Sequence, residues 1–268
     1  MSPASSPPRA ADAAVPGLEE LLSGRAAFRL PLSFDPAPLA REVARLPESL
    51  WDPKGLGRRG AYYAHDGRWR TLTLRGRRGA PGDGPYDVGT RGPFPDAAAL
   101  RRSPRLKAAL DALPVAMTAA QLFRLEPGGA VMRHVDPLRR YRGRALVPAH
   151  LVLTTNPSVR FFVNGRPLAM KAGEVWALNA TLPHEVYNGG TRARVHLIAH
   201  LLYDEVLAGL LRRARALPAG PADFSAARAH ARRYLERARF AAAAPSEDAA
   251  ARRRRAALVA QLLRMRAA

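Results

Sequence analysis

The chain has 268 residues, enough for one large domain or one domain with an appendage, and 47% of them are apolar, so a sizeable core is within reach. It contains no cysteine, which excludes disulfides, thiolate metal sites and a cysteine nucleophile, and fits a reducing compartment. Its net charge of +21 favours anionic partners, but an Arg-, Ala-, Pro- and Gly-rich composition is also what a GC-rich genome writes on solvated surfaces, so the charge alone identifies no site.

Residues 1–17, rich in Pro, Ser and Ala, read as a disordered leader without the basic-then-apolar pattern of a secretory signal. No apolar run is long enough to span a bilayer, and the expected location is the cytoplasm. Residues 18–47 read as pieces of helix around a short strand, FRLPLSF. The alternation in WRTLTL, from Trp69, predicts a strand. Residues 77–96, full of Gly, Pro and Arg, predict a loop. Residues 97–113 predict a helix broken near Pro104. From 115 to 203 short apolar runs alternate with turn signals: AAQLFRL, PGG, AVMRHVD, HLVLTTN, VRFFVNGRPLAM with Asn164-Gly165 as its positive-φ turn, AGEVWALN and RVHLIAHLLY. About eight strands joined this way predict a mainly β fold, a double-stranded β-helix (jelly roll, cupin-like) with flanking helices. The expected organisation is a domain over 18–205 with its core at 115–203, then a basic helical extension over 206–268. Asp223 is placed to start one helix of that extension, and Ser246, followed by Glu247 and Asp248, another.

His134-Val135-Asp136 is the most informative triplet. Residues two apart on a strand point to the same side, so an imidazole and a carboxylate enter one cavity. His184 lies on a later strand that can return beside the first. Two His and one carboxylate leave the opposite coordination positions open, which is the facial triad of non-haem iron(II) oxygenases. An H-x-D triplet alone is weak, since a solvated strand end produces it by chance. A bidentate oxo-acid co-substrate also needs a cation for its far carboxylate. Arg194 offers the guanidinium fork, at the head of a strand on which Arg194, His196 and Ile198 share one face. Taken alone, Arg194 reads better as a strand-edge Arg in an Arg-rich chain.

The runs RLEPGGAVMRHVD, AHLVLTTN and AGEVWALNATLPHEVYNGGTRARVHLI together resemble the aspartyl/asparaginyl β-hydroxylase family, which includes bacterial hydroxylases of free proline. The resemblance is clear over about 115–203 and faint over about 30–114, where Trp69 and the alternation after it look similar. It implies a jelly-roll dioxygenase that uses iron(II), dioxygen and 2-oxoglutarate, releases succinate and carbon dioxide, and hydroxylates an amino-acid or peptidyl, Asp/Asn-like substrate. It implies His134, Asp136 and His184 as metal ligands, and Arg194 and His150 as 2-oxoglutarate contacts. Two positions depart from the pattern. Pro148 stands where some members carry Arg, and Phe123 where some carry a Ser that helps bind the oxo acid; Arg142 or Arg144 is the candidate replacement.

Other residues carry weaker readings. Trp51 and Trp176 are candidate pocket walls, with a core strand role preferred for Trp176. Tyr62, Tyr63, His65 and Trp69 are candidate substrate walls, with structural roles preferred. Asn179-Ala180-Thr181 fits a glycosylation sequon that means little without a secretory signal. His196 is placed to reach the pocket and His200 is not. The run Arg252–Arg255 reads as a solvated helix face, with nucleic-acid contact as the lesser alternative, and Leu258, Leu262 and Met265 as a stripe that packs on the barrel or a second subunit. The rival to the enzyme is a non-catalytic jelly roll that binds a ligand or partner.

Overall fold

A computed structural model describes residues 17–53, 68–79 and 94–242. Tyr62, Tyr63, His65, the run Arg252–Arg255 and the stripe from Leu258 to Met265 lie outside these residues. Thirteen strands occur among the described residues: β1 (Arg25–Ser33), β2 (Asp52–Pro53), β3 (Trp69–Arg75), β4 (Met117–Leu125), β5 (Ala130–His134), β6 (Arg140–Tyr141), β7 (Arg144–Thr154), β8 (Val159–Val163), β9 (Arg166–Leu168), β10 (Glu174–Leu178), β11 (His184–Asn188), β12 (Arg194–Leu202) and β13 (Arg215–Pro218). The helices are α1 (Leu18–Leu22), α2 (Pro36–Val43), α3 (Ala98–Arg101), α4 (Pro104–Asp111), α5 (Glu205–Arg213) and α6 (Ser225–Ala242).

The strands form two antiparallel sheets, as the jelly-roll expectation requires. The major sheet runs β13-β1-β10-β7-β12-β4-β3-β2, with β6 paired to β7, and the minor sheet runs β5-β11-β8-β9. Period-two alternation sorts each central strand. On β12, Val195, Leu197, Ala199 and Leu201 join a core with Leu39 of α2, Leu106 and Leu110 of α4 and Leu207 of α5. The opposite face of the major sheet meets the minor sheet through Leu125, Val131, Val152, Phe161, Trp176, Leu178 and Val186. Helices thus cover one side of the major sheet and the minor sheet covers the other. Each fully buried Leu of the helical layer contributes roughly 1.5–3 kcal/mol relative to an exposed one.

The predicted break at Pro104 is a boundary between two helices: α3 ends at Arg101, and Pro104 opens α4 at the position where its missing N–H costs nothing. Asp204 caps α5 by accepting from Leu207 N, and also pairs with Arg144 at 3.0 Å. The segment read as a helical extension contains a strand. After α5, β13 pairs antiparallel with β1 at the edge of the major sheet. The chain then crosses the β8–β9 turn, where Asn164 Nδ2 donates to Gly220 O at 3.3 Å, and α6 runs over the outer face of the minor sheet. There Ala227 is fully buried with Ala130, Met132, Phe162 and Tyr187. An edge strand's pairing depends on a partner distant in sequence, so β13 left no strong local pattern.

Asn164 and Gly165 have φ of 50° and 77°, as the turn reading predicts. Gly165 is needed for a second reason: a Cβ there would lie 1.9 Å from Asp223 O. Gly165→Ala is therefore expected to destabilise the fold by at least about 1–2 kcal/mol from the left-handed backbone alone, and to loosen the 219–224 crossing. Thermal melting, with limited proteolysis mapping the first cut, checks this.

Candidate metal centre and its cavity

His134 ends β5 and His184 opens β11, and the register places the two directly opposite one another. Their rings lie 4.2 Å apart between centroids. Each ring is turned the same way by its own strand: His134 Nδ1 lies 2.7 Å from Met132 O, and His184 Nδ1 lies 3.0 Å from Leu182 O. A carbonyl only accepts, so each Nδ1 carries the proton and each Nε2 presents its lone pair. Asp136 lies two residues beyond β5, and its N–H donates to Ala180 O at 2.8 Å, which ties it to the turn that enters β11. Asp136 Oδ2 is 3.9 Å from His184 Nε2. The three ligand atoms lie within 4.8 Å of one another, so one metal ion can be shared among them. Burial, then repulsion from His184, lowers His134 to about 4, so it offers a neutral nitrogen at neutral pH. Two imidazoles and one carboxylate on one side of a cavity fit a divalent iron that keeps open positions.

That cavity, of about 90 Å3, lies between the sheets. Its polar lining beyond the triad is Arg139, His150, Arg194 and His200, and much of its apolar wall is Trp69, Phe123, Val131, Phe161, Leu178 and Val186. Arg194, His150 and the triad thus share one space. Arg194 is only 3% exposed and has no carboxylate partner among the described residues. Its Nη2 donates to His196 Nδ1 at 2.8 Å, while its buried Nε has no hydrogen-bond partner. Burial lowers its pKa to about 9. An isolated buried cation is costly, and a carboxylate ligand would remove that cost through a charge-assisted bond. His150 Nδ1 lies 3.2 Å from the same His196 nitrogen. Burial first, then the Arg194 charge, holds both imidazoles well below the ordinary histidine value.

The two departures from the family pattern both fall in the cavity wall. Phe123 packs edge-on against Trp69 with centroids 5.3 Å apart, and Pro148 stands beside His150's approach. Neither proposed replacement reaches the cavity. Arg144 is drawn away by Asp204 and by Tyr203 O, and Arg142, in a turn with φ 50°, sits 5.4 Å from the Tyr141 ring. Arg139, three residues past Asp136, lines it instead. Four other residues lie differently from the sequence expectation: His200, His196, Trp69 and Trp51. His200 lines the cavity, because it lies on the same face of β12 as Arg194, while His196 turns to an adjoining recess beside Lys171. Trp69 is a wall residue; its place on an alternating strand was the available signal. Trp51 and Trp176 are not in the wall: Trp51 lies under Arg124 in the helical core, and Trp176 donates to Glu174 at 2.8 Å.

A family model described as aspartyl/asparaginyl beta-hydroxylase matches residues 40–202. No curated protein matches the chain. Similar solved structures include a 2OG-Fe(II) oxygenase family oxidoreductase from Burkholderia pseudomallei, at 15% identity over 62% of this chain and 77% of that one, with a TM-score of 0.40. A prolyl-4-hydroxylase from Pseudomonas putida is 18% identical over 69% of this chain and 96% of that one, with a TM-score of 0.41. A prolyl hydroxylase from Trichoplax adhaerens, solved with a hypoxia inducible factor peptide fragment, is 14% identical over 72% and 89%, with a TM-score of 0.43. No helix among the described residues is long and apolar enough to cross a membrane.

The buried neutral histidines make acid stability predictable. The unfolded chain takes up protons below about pH 6.5, whereas folded His150 and His196 resist them. Stability of the metal-free protein is therefore expected to be level above about pH 7 and to fall as the pH drops below 6.5, by up to about 1.4 kcal/mol per pH unit for each such histidine. His196→Asn, which keeps an acceptor for Arg194, should fold and show a shallower fall. Denaturant titrations between pH 5 and pH 8, on the order of one pH unit apart, check this.

Proposed function

The chain belongs to the aspartyl/asparaginyl β-hydroxylase family of iron(II)- and 2-oxoglutarate-dependent enzymes, and we propose that it hydroxylates an amino-acid or peptidyl substrate with an Asp- or Asn-like side chain. The observation that carries this reading is the buried, acid-free Arg194 in the same cavity as a His-Asp-His cluster. A metal site alone would fit many proteins. A metal site with a desolvated guanidinium set apart from it fits a co-substrate with one end for each.

In this reading His134 and His184 hold iron(II) through Nε2 and Asp136 through its carboxylate. Arg194 receives the distal carboxylate of 2-oxoglutarate, with His150 beside it. The bound iron, with 2-oxoglutarate and dioxygen, supplies the oxidant and yields succinate and carbon dioxide. Phe161 stands among the binding groups: its ring is stacked parallel to His184 with centroids 6.5 Å apart, edge-on to His150 at 5.9 Å, and 5.6 Å from the Arg194 guanidinium carbon. This wall keeps water from the reacting space and lowers the local dielectric, which strengthens the Arg194–carboxylate contact. The basic lining of Arg139 and His200 suits a substrate that carries a carboxylate or amide oxygen.

Succinate release from 2-oxoglutarate tests the reading, measured with free amino acids and with Asp- or Asn-containing peptides as candidate substrates. Wild type is expected to release succinate only with iron(II) and air, faster with an Asp- or Asn-bearing substrate that gains one oxygen atom by mass. His134→Ala and His184→Ala are expected to be inactive, and normal release by either would contradict the assignment. Arg194→Leu is expected to raise the KM for 2-oxoglutarate roughly 10- to 100-fold, since a hydrogen bond to a charged group contributes on the order of 1.5–3 kcal/mol, with a smaller change in kcat.

A further inference from the structure

The minor sheet contains an irregularity that the site depends on. Along β11, His184 and Val186 are two residues apart and both face the cavity, as strand geometry requires. Along β5, Val131 and His134 also both face the cavity, yet they are three residues apart. The register explains this. Val186 pairs with Val131 and Tyr187 with Ala130, but His184 pairs with His134, so one extra residue is accommodated in β5 between 131 and 134. It is a β-bulge, which re-aims the side chains that follow it. Without it, regular alternation from Val131 would turn Arg133 into the cavity and His134 out of it.

Arg133 lies in that bulge, and its partner is Glu185, the neighbour of the other histidine. Arg133 Nε donates to Glu185 Oε1 at 3.0 Å, and Nη2 lies 2.9 Å from the same oxygen. The second oxygen, Oε2, accepts from Tyr187 OH at 2.6 Å. Glu185 is 2% exposed. The C-terminal segment covers the cluster: the Phe224 ring centre lies 4.2 Å from the Arg133 guanidinium carbon, and the His230 ring 4.8 Å from Tyr187. The pair therefore sits on the outer face of the minor sheet, on the residues adjacent to both histidines, under α6.

We propose that Arg133 and Glu185 are positioning residues that hold the β5 bulge and thereby turn His134 into the metal cavity opposite His184. The proposal rests on the metal-site reading above. Neither residue touches the ligands; both act through the strand. The pair favours this register because Glu185 is buried while Arg133 is half-buried, and a slip would leave the Glu185 carboxylate desolvated and alone. Tyr187 fixes the carboxylate, and the Phe224 ring covers part of the Arg133 guanidinium.

Metal affinity tests this without turnover. Anaerobic titration with iron(II), and with cobalt(II) to read the coordination from its visible spectrum, is carried out on the full chain. The variants are wild type, Glu185→Gln, and the double variant Arg133→Met/Glu185→Leu, which replaces both charges and leaves neither alone. Thermal melting is followed alongside. Both variants are expected to remain folded and to lose roughly 10- to 100-fold in metal affinity, the usual effect of removing groups that orient metal ligands, with an altered cobalt spectrum. Wild-type affinity and spectrum in the folded double variant would overturn the proposal. If the double variant does not fold, Glu185→Gln decides, and unchanged affinity there overturns it. Failure of folded wild type to bind either metal would instead overturn the metal-site reading, before any variant is compared.

Discussion

The pairing of β5 with β11 puts two imidazoles side by side, with their rings tilted by 57°, at the edge of the inter-sheet space, and the chemistry of the cavity follows from that register. Side-chain direction in a strand has a period of two, so a shift of one residue would exchange the cavity face for the outer face. Each ring is then oriented by a carbonyl two residues upstream on its own chain, which fixes the tautomer without recruiting another side chain. The Asp136 N–H bond to Ala180 O extends the same pairing beyond the end of β5 and delivers the carboxylate. Backbone hydrogen bonds between neighbouring segments bring the three side chains together.

The second constraint is electrostatic. The cavity is lined by one carboxylate and several basic groups, of which Arg194 is the most deeply desolvated. Proteins avoid such a cation unless something offsets it. Neutral His196 accepts a hydrogen bond from it, and the Phe161 ring lies 5.6 Å from its guanidinium carbon. An anion would offset that charge, and the His134, Asp136 and His184 group in the same cavity fits the proposed co-substrate, an anion that can also chelate a metal. An intact triad beside such an arginine gives no support to a jelly roll that only binds a partner. Surface ion pairs such as Arg140–Glu19 contribute at most about 1 kcal/mol and do not shape the site.

Much of this was legible in the sequence, because it rests on local periodicity. The shared face of Arg194 and Ile198, the Asn164-Gly165 turn and the break at Pro104 all follow from strand, turn and helix geometry over a few residues, whereas Asp136 lies beyond the end of β5 and is placed by its bond to Ala180 O. What was not legible depends on pairing at a distance. The bulge in β5 has no local signature: RHVD reads as plain alternation, and only the comparison with β11 reveals the extra residue. β13 is short and its pairing with β1 spans most of the chain. The positions of Arg139, Arg142 and Arg144 were misjudged because four arginines between 139 and 144 look alike in sequence, whereas Asp204 and the turn at Gly143 sort them in space. His200 was set aside although the alternation on β12 already placed it with Arg194.

The most direct test of the central claim, that the triad and Arg194 together form a site for iron(II) and 2-oxoglutarate, is an anaerobic optical titration. Chelation of iron(II) by a 2-oxo acid produces a charge-transfer absorption in the visible range, and it requires both the metal and open coordination positions. The account predicts a saturable band when 2-oxoglutarate is added to iron-loaded wild type, bleached on admission of air. Folded, iron-loaded protein that develops no band at saturating 2-oxoglutarate would contradict it.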